Sequence, residues 1–423
     1  MAYIVPFRGV VYNTERVAGN DVIAPPYDVI PPALREKLYE KSPFNIVRID
    51  FGKDEPGDSD TENKYTRAAS SFSSWLADGI LVQDQAEIFY GYEITYSVFG
   101  ETRTLRGILG LLRLEELGTG VFPHEETRPK AKADRLNLMY ATGANTSPIF
   151  GLYNSPANVS NTIIKGISTE PYLATTDSDG AEHRLHKIHD ASQISRIQAE
   201  LSDKPIFIAD GHHRYEVALA FKKEMDQKTN RPADDATPKP WDYVLMFFAN
   251  IADEGLTILP THRLIKGVSA PQTVLDKLTS DFEIVKMPAS ADIGSTMRTE
   301  GKHAFGLYMR NQDGWYLLRY RGGKLQDINP ALGELDVVIM HQLIINRDLM
   351  VNEIAYEMSA AEAVSRVNSG DFDAAFFLNA TEVGDLERVA GAGLRMPAKS
   401  TYFYPKLLTG LVINKFLHGG HAK

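Results

Sequence analysis

The clearest pattern along the chain is an apolar run that ends in a turn and is followed by apolar residues at helical spacing. The run is Pro205–Ala209, and the turn dipeptide Asp210–Gly211 closes it. Beyond the turn, apolar side chains recur four positions apart at Val217, Phe221 and Met225, as they do on one face of a helix. The pattern predicts a buried strand, a turn and a helix in succession.

Comparable patterns predict further strands and helices along the rest of the chain. Alternating or continuous apolar runs predict strands at Glu87–Tyr96, Thr102–Leu114, Ser147–Asn154, Tyr243–Ile251, His303–Tyr308, Trp315–Tyr320 and Asp373–Asn379. Helical spacing and helix-start residues predict helices at Ala33–Lys41, Tyr65–Ala77, Ala191–Leu201, Leu335–Leu349 and Thr381–Gly391, with Thr381 capping the last. These elements favour an α/β protein (α+β, with mixed sheets).

Composition narrows the class of protein. The chain has 423 residues, 43% hydrophobic and 24% charged, which is ordinary for a globular protein of two or three domains. We divide it into an N-terminal region, 1–160, a central region, 161–268, and a C-terminal region, 269–423. There is no cysteine, which excludes thiol nucleophiles, disulfides and cysteine metal sites.

Charge and apolar content also limit the partners. The formal net charge is −10, which disfavours nucleic acid as the main partner, although a local basic pocket could still bind a small anion. No apolar run approaches the roughly 20 residues of a membrane span. The first ten residues, MAYIVPFRGV, lack a signal-peptide pattern. We therefore expect a soluble cytoplasmic protein.

The predicted junction between strand and helix carries the strongest chemical signal. Asp210, Gly211, His212, His213 and Arg214 supply a carboxylate, a flexible backbone position, two proton-transfer groups and a guanidinium fork within five residues. The first amides of a helix are unpaired and its N-terminus is electropositive, so this junction favours an anion. The alternative is an ordinary N-cap aspartate on a solvated helix.

Four other segments carry candidate site residues. Their candidates are His124, Glu125 and Lys130 in segment 123–135, Thr261, His262 and Arg263 directly after a predicted strand, Lys399, Ser400, Thr401 and Lys406 in segment 396–411, and Tyr27 with Asp28 after two prolines. His124 and Glu125 are candidates for a base and its orienting group, and the lysines for phosphate binding. The alternatives are a solvated charge run, a surface turn, a closing strand and turn, and a rigid turn. We predict that the segments at 123–135, 259–263 and 399–406 converge with Asp210–Arg214 on one pocket.

Three histidines invite a metal-site interpretation. His183, His186 and His189 are spaced three apart. The sequence leads to Asp190, a predicted helix cap, so the histidines more naturally belong to a preceding strand. On a strand, His186 would face away from the other two, which disfavours a metal site.

Five segments of the chain resemble a known family. They are APPYDVI at 24–30, PHEETRPK at 123–130, ADGHHRYE at 209–216, LPTHR at 259–263 and KSTYFYPKL at 399–407. In them the sequence resembles a bacterial and archaeal family of unknown function that is often labelled SpoOJ/ParA/ParB/RepB-like. Membership by itself names no reaction.

A second resemblance is local. Roughly Ala191–Met225 is similar to the ParB/sulfiredoxin-like superfamily, which implies that fold for the central region. His212 stands where sulfiredoxins carry the catalytic cysteine, so sulfiredoxin chemistry is impossible here. Arg214 matches the phosphate-binding arginine of the pattern. Free serine kinases of the superfamily carry a DGHHR-type motif, matched by Asp210–Arg214, that serves phosphoryl transfer between a nucleoside diphosphate and serine.

The residues and the resemblances together predict a phosphoryl-transfer or phosphate-ester-hydrolysing enzyme that acts on a small metabolite. The favoured substrate is serine or phosphoserine, either as in a free serine kinase or as in a phosphoserine phosphatase. A kinase would need Mg²⁺, for which Asp210 is the candidate ligand, and a nucleotide, ADP or ATP; no covalent cofactor is expected. The alternative is a non-catalytic, ParB-like nucleotide-binding regulator. DNA binding is disfavoured by the acidity of the chain.

Overall fold

A computed structural model describes residues 2–125, 129–268, 270–351 and 353–417, with only the backbone of 129–131. The chain folds into two compact units. Unit 1 comprises Met1–Pro123, Thr127–Leu256 and Pro405–Lys423, and unit 2 comprises His124–Glu126 and Thr257–Tyr404. The predicted boundary near residue 160 lies inside unit 1, and the one near residue 268 lies inside unit 2. The division into three regions stays a prediction.

The secondary-structure elements are numbered in chain order. The strands are β1 (Ile4–Val5), β2 (Val10–Tyr12), β3 (Leu81–Gln83), β4 (Phe89–Val98), β5 (Glu101–Arg113), β6 (Val121–Pro123), β7 (Ala144–Asn145), β8 (Ile149–Tyr153), β9 (Leu173–Thr176), β10 (Glu182–Ile188), β11 (Ile206–Asp210), β12 (Tyr243–Asn250), β13 (Thr257–Leu259), β14 (His262–Ile265), β15 (Phe282–Met287), β16 (Ala304–Met309), β17 (Trp315–Tyr320), β18 (Ile354–Glu357), β19 (Ala374–Phe377), β20 (Tyr402–Tyr404) and β21 (Asn414–Lys415). The α-helices are α1 (Gly19–Val22), α2 (Pro32–Lys41), α3 (Val47–Asp50), α4 (Lys64–Ala77), α5 (Pro129–Thr142), α6 (Val159–Lys165), α7 (Ala191–Leu201), α8 (His212–Lys228), α9 (Pro271–Leu278), α10 (Ile293–Glu300), α11 (Pro330–Gly333), α12 (Asp336–Ile339), α13 (Ala360–Asn368) and α14 (Val383–Gly391). Short 3-10 helices span Tyr27–Val29 and Pro240–Asp242, and a π-helix spans Met340–Leu349.

Unit 1 is built on a nine-stranded sheet. Its described strands run in the order β6-β11-β8-β12-β5-β4-β10-β9, and β1 also pairs with β5. The β4–β5 hairpin is antiparallel, whereas β11 pairs in parallel with β6 and β12 with β8. Seven of the eight residues of β12 are buried, as the continuous apolar run predicted for a strand covered on both faces.

Helices cover this sheet and enclose one core. Apolar side chains of α8, including Val217, Phe221 and Met225, join those of β8, β11 and β12. The predicted four-residue spacing is therefore the buried face of α8. Asp190 caps α7 by accepting a hydrogen bond from the Gln193 amide, which confirms the predicted helix start.

Unit 2 is built on an antiparallel six-stranded sheet in the order β15-β17-β16-β19-β14-β18, and β13 and β20 form a separate pair. The predicted strands at 303–308 and 315–320 are β16 and β17, which pair as an antiparallel hairpin. The hydrophobic core of unit 2 includes Leu264, Trp315, Leu317 and Phe377. The unit is thus a mixed assembly of sheet and helices, and the whole chain is an α/β protein.

Three local predictions are corrected in unit 2. The strand predicted before Thr261 is β13, but His262 and Arg263 then belong to a second strand, β14, and not to a turn. The predicted helix over Leu335–Leu349 begins as α12 and continues as the π-helix. Helix α14 starts after Glu382, whose side chain pairs with the first turn, whereas Thr381 donates to the Ser400 carbonyl.

The histidines at 183 and 186 lie on β10 as predicted, on opposite faces. His183 Nδ1 is 2.7 Å from the Tyr92 hydroxyl, and His186 Nε2 is 3.7 Å from Glu93 Oε2. In the described ranges, no group of three or more histidine or acidic side chains could hold a metal ion. Nor does any helix of those ranges have the length and apolarity to cross a membrane.

Candidate functional site

The predicted strand-turn-helix junction of unit 1 is confirmed. Strand β11 ends at Asp210, and α8 begins at His212. Gly211 is the N-cap and has a φ of 90°, a left-handed conformation that glycine adopts without strain. A Cβ at this position would lie 2.9 Å from Arg214 Nε. Glycine therefore lets the Arg214 guanidinium fold back over the start of α8.

Asp210 does not cap the helix; it anchors the junction. Its Oδ1 accepts a hydrogen bond of 2.8 Å from the Gly211 amide, and its Oδ2 lies 2.9 Å from Lys406 Nζ. Burial by itself would raise the pKa of Asp210, but the positive charges of Lys406 and Arg214 outweigh it and hold that pKa well below its usual value. Two predicted residues distant in sequence, Asp210 and Lys406, thus form one ion pair.

A second arginine, which was not among the predicted site residues, lies in the same region of unit 1. Arg135 on α5 forms ion pairs with Asp134 and, at 3.4 Å, with Asp50 Oδ1. Its guanidinium stacks on the Tyr27 ring at 4.1 Å. Burial opposes the charge of Arg135, but Asp50 and Asp134 raise its pKa. The sequence signal was present, because Asp134 and Arg135 close the charged segment 123–135.

Arg135 and Asp50 each have a buried polar atom without a hydrogen bond. In the described part of the chain these atoms are Arg135 Nη1, which lies 3.4 Å from Asp50 Oδ1 in their ion pair, and Asp50 Oδ2. Asp50 Oδ1 accepts a hydrogen bond of 2.6 Å from Thr146. Buried polar atoms are normally paired with protein or water, so the hydrogen bonding of this ion pair is incomplete.

These side chains line one cleft of about 390 Å³, a volume that includes its opening to solvent. Arg214 lines it too and donates to the Pro148 carbonyl. The polar and charged residues of the lining are Asp50, Arg135, Asn145, Thr146, Ser147 and Arg214. Two guanidinium groups in one cleft beside a helix N-terminus form an environment suited to phosphate or carboxylate.

Of the remaining predicted residues of unit 1, Tyr27 contacts the cleft residue Arg135, whereas Asp28, His212 and His213 are not among the residues that line the cleft. Tyr27 begins a 3-10 helix, and Asp28 beside it is exposed. Burial, followed by the charge of Asp28, raises the pKa of Tyr27 to about 12, against the opposing effect of Arg135 and Arg214. His212 is buried and His213 half-buried in the first turn of α8. The Lys130 side chain lies outside the described part of the chain.

Unit 2 holds a second group of predicted residues. Glu125 Oε1 accepts hydrogen bonds from the amides of Ser400, at 3.0 Å, and Thr401, at 3.1 Å, and Oε2 accepts one of 3.3 Å from Lys399. His124 is fully buried and its Nε2 lies 2.8 Å from Thr401 Oγ1. Glu125 thereby holds the loop 399–401, in which Lys399 has a φ of 62°.

Arg263 and His262 lie within strand β14, and both side chains are buried. Arg263 is fully buried and donates to the carbonyls of Thr261 and Lys399 and to His341 Nε2. Burial lowers its pKa to about 10. Burial and the charge of Arg263 lower the pKa of His262 to about 3. A neutral, buried imidazole cannot attract a phosphate by charge, so the surroundings of His262 do not suit phosphate binding.

The predicted residues therefore form two groups, each described within its own unit. Asp210–Arg214, Lys406 and Tyr27 belong to unit 1, and His124, Glu125 and the residues at 261–263 and 399–401 belong to unit 2. Convergence of all the segments on one pocket stays a prediction, as does a magnesium site at Asp210.

Comparisons with known proteins add the following. No curated protein matches the chain. Among solved structures, the chain is similar to a conserved hypothetical protein from Pyrococcus furiosus, with 15% identity, coverage of 68% of this chain and 89% of that one, and a TM-score of 0.34. A free serine kinase in complex with AMP has 14% identity, coverage of 69% and 92%, and a TM-score of 0.35. SbnI from Staphylococcus aureus, truncated at its C-terminus, has 10% identity, coverage of 73% and 87%, and a TM-score of 0.38.

A family model gives the assignment that these distant likenesses do not. The model described as "Protein of unknown function (DUF1015)" matches residues 4–338, which is well over half of the 423 residues. The chain belongs to this family.

Proposed function

We propose that the protein is an enzyme that transfers or hydrolyses a phosphoryl group on a small metabolite. The phosphate would bind in the cleft of unit 1 that Arg135 and Arg214 line, here called the arginine cleft. The observation that carries the proposal is that these two guanidinium groups line one cleft beside the start of α8. Phosphoryl transfer depends mainly on positioning and on neutralising charge over the phosphate oxygens. A pair of arginines at a helix N-terminus supplies both.

The placement of Arg135 supports an anionic ligand. Arginine binds phosphate best through two parallel N–H donors, and in the described chain the buried Nη1 lies 3.4 Å from Asp50 Oδ1 without making a hydrogen bond. Asp134 and Asp50 hold the guanidinium in place, so little ordering is needed when a ligand binds. Arg214, tied to the Pro148 carbonyl, is positioned in the same way.

Asp210, His212 and His213 would carry the remaining roles. Lys406 and Arg214 keep Asp210 ionised, as a Mg²⁺ ligand must be. With Mg²⁺ bound to Asp210, the Lys406 ammonium group would pair with a phosphate of the nucleotide instead. His212 or His213 would shuttle the proton or accept the phosphoryl group. The resemblance of Asp210–Arg214 to the motif of free serine kinases favours serine or phosphoserine as the substrate.

The two reactions differ in the nucleophile. In a kinase reaction, the serine hydroxyl oxygen attacks the β-phosphorus of ADP, the bond to the leaving AMP breaks, and a base takes the hydroxyl proton. In a phosphatase reaction, water attacks phosphoserine, serine leaves, and inorganic phosphate is released. Both pass through the same charged phosphoryl group, so both need the same cleft.

The test is phosphorus NMR of the full chain with Mg²⁺ and either ADP plus L-serine or L-phosphoserine alone. AMP and phosphoserine as products would identify a kinase, and inorganic phosphate a phosphatase. Arg214→Ala is expected to abolish turnover in a folded protein, whereas Arg184→Gln, an exposed arginine of β10, should leave it unchanged. No turnover of either mixture by folded protein would refute the serine proposal.

One observation favours a second candidate, a nucleotide-binding regulator without turnover. Glu125 was predicted to orient a catalytic base, but its carboxylate accepts hydrogen bonds from the amides of Ser400 and Thr401. These bonds give the carboxylate a role in holding the loop, and not in proton transfer. Calorimetry that detects ADP or ATP binding, abolished by Arg214→Ala and accompanied by no product in the NMR experiment, would support the regulator.

A further inference from the structure

Unit 1 contains a second, larger polar cavity that the proposed function does not use. Its volume is about 740 Å³, again including its opening. Three elements enclose it: the beginning of β5, one face of α6 and the loop that follows β12. The residues that matter for its chemistry are Arg103, Arg106, Asn161, Lys165, Asp253 and Gly255.

The cavity is far from the arginine cleft. Val244, at the beginning of β12, lines the cleft, whereas Ala252 and Asp253, beyond the end of the same strand, line the second cavity. A strand advances about 3.3 Å per residue, so these positions are about 25 Å apart. A ligand in one cavity cannot contact the residues of the other.

Asn161, one of the residues that line this cavity, carries an unsatisfied acceptor. The residue is only 2% exposed, and its Nδ2 donates to Asp253 Oδ2. That bond orients the amide, and within the described residues Oδ1 has no hydrogen-bond partner. A buried carbonyl oxygen without a partner costs roughly 1–3 kcal/mol, so the site favours a ligand that brings an O–H or N–H donor.

The loop that forms one wall is held firmly. The Gly255 carbonyl accepts a hydrogen bond of 2.7 Å from the Tyr96 hydroxyl, and the Gly255 amide donates to Asp253 Oδ1 at 2.6 Å. A Cβ at Gly255 would lie 2.1 Å from the Thr104 carbonyl oxygen. Because only glycine allows this close approach, the loop packs directly on β5, and the cavity is a built feature of the fold.

The cations around the cavity differ in their acidic partners. Arg103 forms an ion pair of 2.9 Å with Glu101, and Arg106 forms one of 2.6 Å with Glu93. Lys165, one turn beyond Asn161 on α6, is exposed and lines the same cavity, so a carboxylate there would have a cation near the Asn161 acceptor. Burial also raises the pKa of Asp253, which weakens its opposition to an anion.

We propose that this cavity is a second binding site, specific for a small hydroxy-carboxylate. The ligand hydroxyl would donate to Asn161 Oδ1, and its carboxylate would face Arg103 and Lys165. One negative charge would pair with Lys165, and one donor would satisfy the unpaired Asn161 Oδ1. A zwitterionic amino acid has no net charge to offer and a simple carboxylate has no donor, so both should bind less well.

The experiment uses the full chain labelled with ¹⁵N in asparagine side chains, titrated with glycolate, acetate and glycine. The Asn161 signal is assigned by its loss in Asn161→Ser. Glycolate should shift this signal and saturate, and acetate, which lacks only the hydroxyl, should bind about tenfold more weakly, as expected for the loss of one hydrogen bond to a buried acceptor. No shift with glycolate would overturn the proposal, and stronger binding of glycine would overturn the choice of ligand.

Two variants separate specific binding from general attraction. Arg103 and Arg184 are matched, because each forms an ion pair with a glutamate two positions earlier on its strand, at 2.9 Å and 3.1 Å. Arg103→Gln should weaken glycolate binding about tenfold, whereas Arg184→Gln should not change it. An equal effect of both would contradict the site. Arg135→Gln should leave glycolate binding intact, so this test is independent of the proposed function.

Discussion

Lys406 Nζ lies 2.9 Å from Asp210 Oδ2, although the two residues are 196 positions apart in the sequence. The pair joins the C-terminal segment of unit 1 to the end of β11, beside the start of α8. Both side chains are mostly buried, with 18% and 24% exposure. Removing one partner of an ion pair at this depth leaves an unpaired buried charge, which costs more than removing one partner of a surface pair.

Lys406→Met is therefore expected to lower the free energy of unfolding at pH 7 by about 2 kcal/mol, between the values for exposed and fully buried pairs. The pKa of Asp210 is lowered in the folded state, so its stabilisation is complete above the unfolded value near 4 and is lost as pH falls through the lower folded value. Urea unfolding at several pH values measures this.

The matched control for that substitution is Lys223→Met. Lys223 is 2.8 Å from Glu116, and both side chains are more than half exposed, so the change should be within about 0.5 kcal/mol. Equal effects of the two substitutions would mean that the Lys406–Asp210 pair has no special importance.

Gly211→Ala should damage the arginine cleft more than the fold. A residue with a side chain is strained at a φ of 90°, which costs about 1 kcal/mol, and its Cβ would also displace Arg214. Gly180 has a φ of 84°, and no atom of the described residues lies within 4 Å of a Cβ there, so Gly180→Ala carries the strain alone. We expect similar losses of stability but weakened ADP or phosphoserine binding only for Gly211→Ala. Unchanged binding would remove Arg214 from the site.

The buried His262 should make unit 2 sensitive to acid. Its pKa is about 3 in the folded state and near 6.5 when unfolded, so its contribution is complete above pH 6.5 and is lost as pH falls towards 3, at up to about 1.4 kcal/mol per pH unit. His262→Phe, which keeps a ring against Phe377, should flatten this dependence. NMR of the imidazole checks the cause: titration near pH 6.5 would contradict it.

Glu125→Gln distinguishes a structural carboxylate from a catalytic one. The amide keeps one acceptor oxygen but turns its NH₂ group towards a backbone donor of loop 399–401, so this loop should lose about 2 kcal/mol of protection against hydrogen exchange. Glu357 is comparably buried and accepts from the amides of Met358 and Ser359, so Glu357→Gln should leave the loop unchanged. Lost turnover with normal exchange in loop 399–401 would instead identify Glu125 as part of the chemistry.

The sequence predicted the elements well where neighbouring residues decide the structure. Strand β11, helix α8 and the helix start at Asp190 follow from apolar spacing, a turn dipeptide and a cap, all of which act within a few residues. The prediction that Thr381 caps α14 was wrong because two adjacent residues, Thr381 and Glu382, could cap this helix. The prediction of one α-helix over 335–349 was wrong because apolar spacing does not distinguish an α-helix from a π-helix.

The composition of the candidate site depended on residues distant in sequence. The chain by itself determined that Asp210, Gly211 and Arg214 meet at a strand-to-helix turn, because their spacing along the backbone leaves little choice. Only the tertiary structure decided that Asp50 and Arg135 pair beside them, and that Arg263 is buried among carbonyls. Charge patterns do not reveal burial, and burial determines whether an arginine binds a ligand or the protein's own backbone.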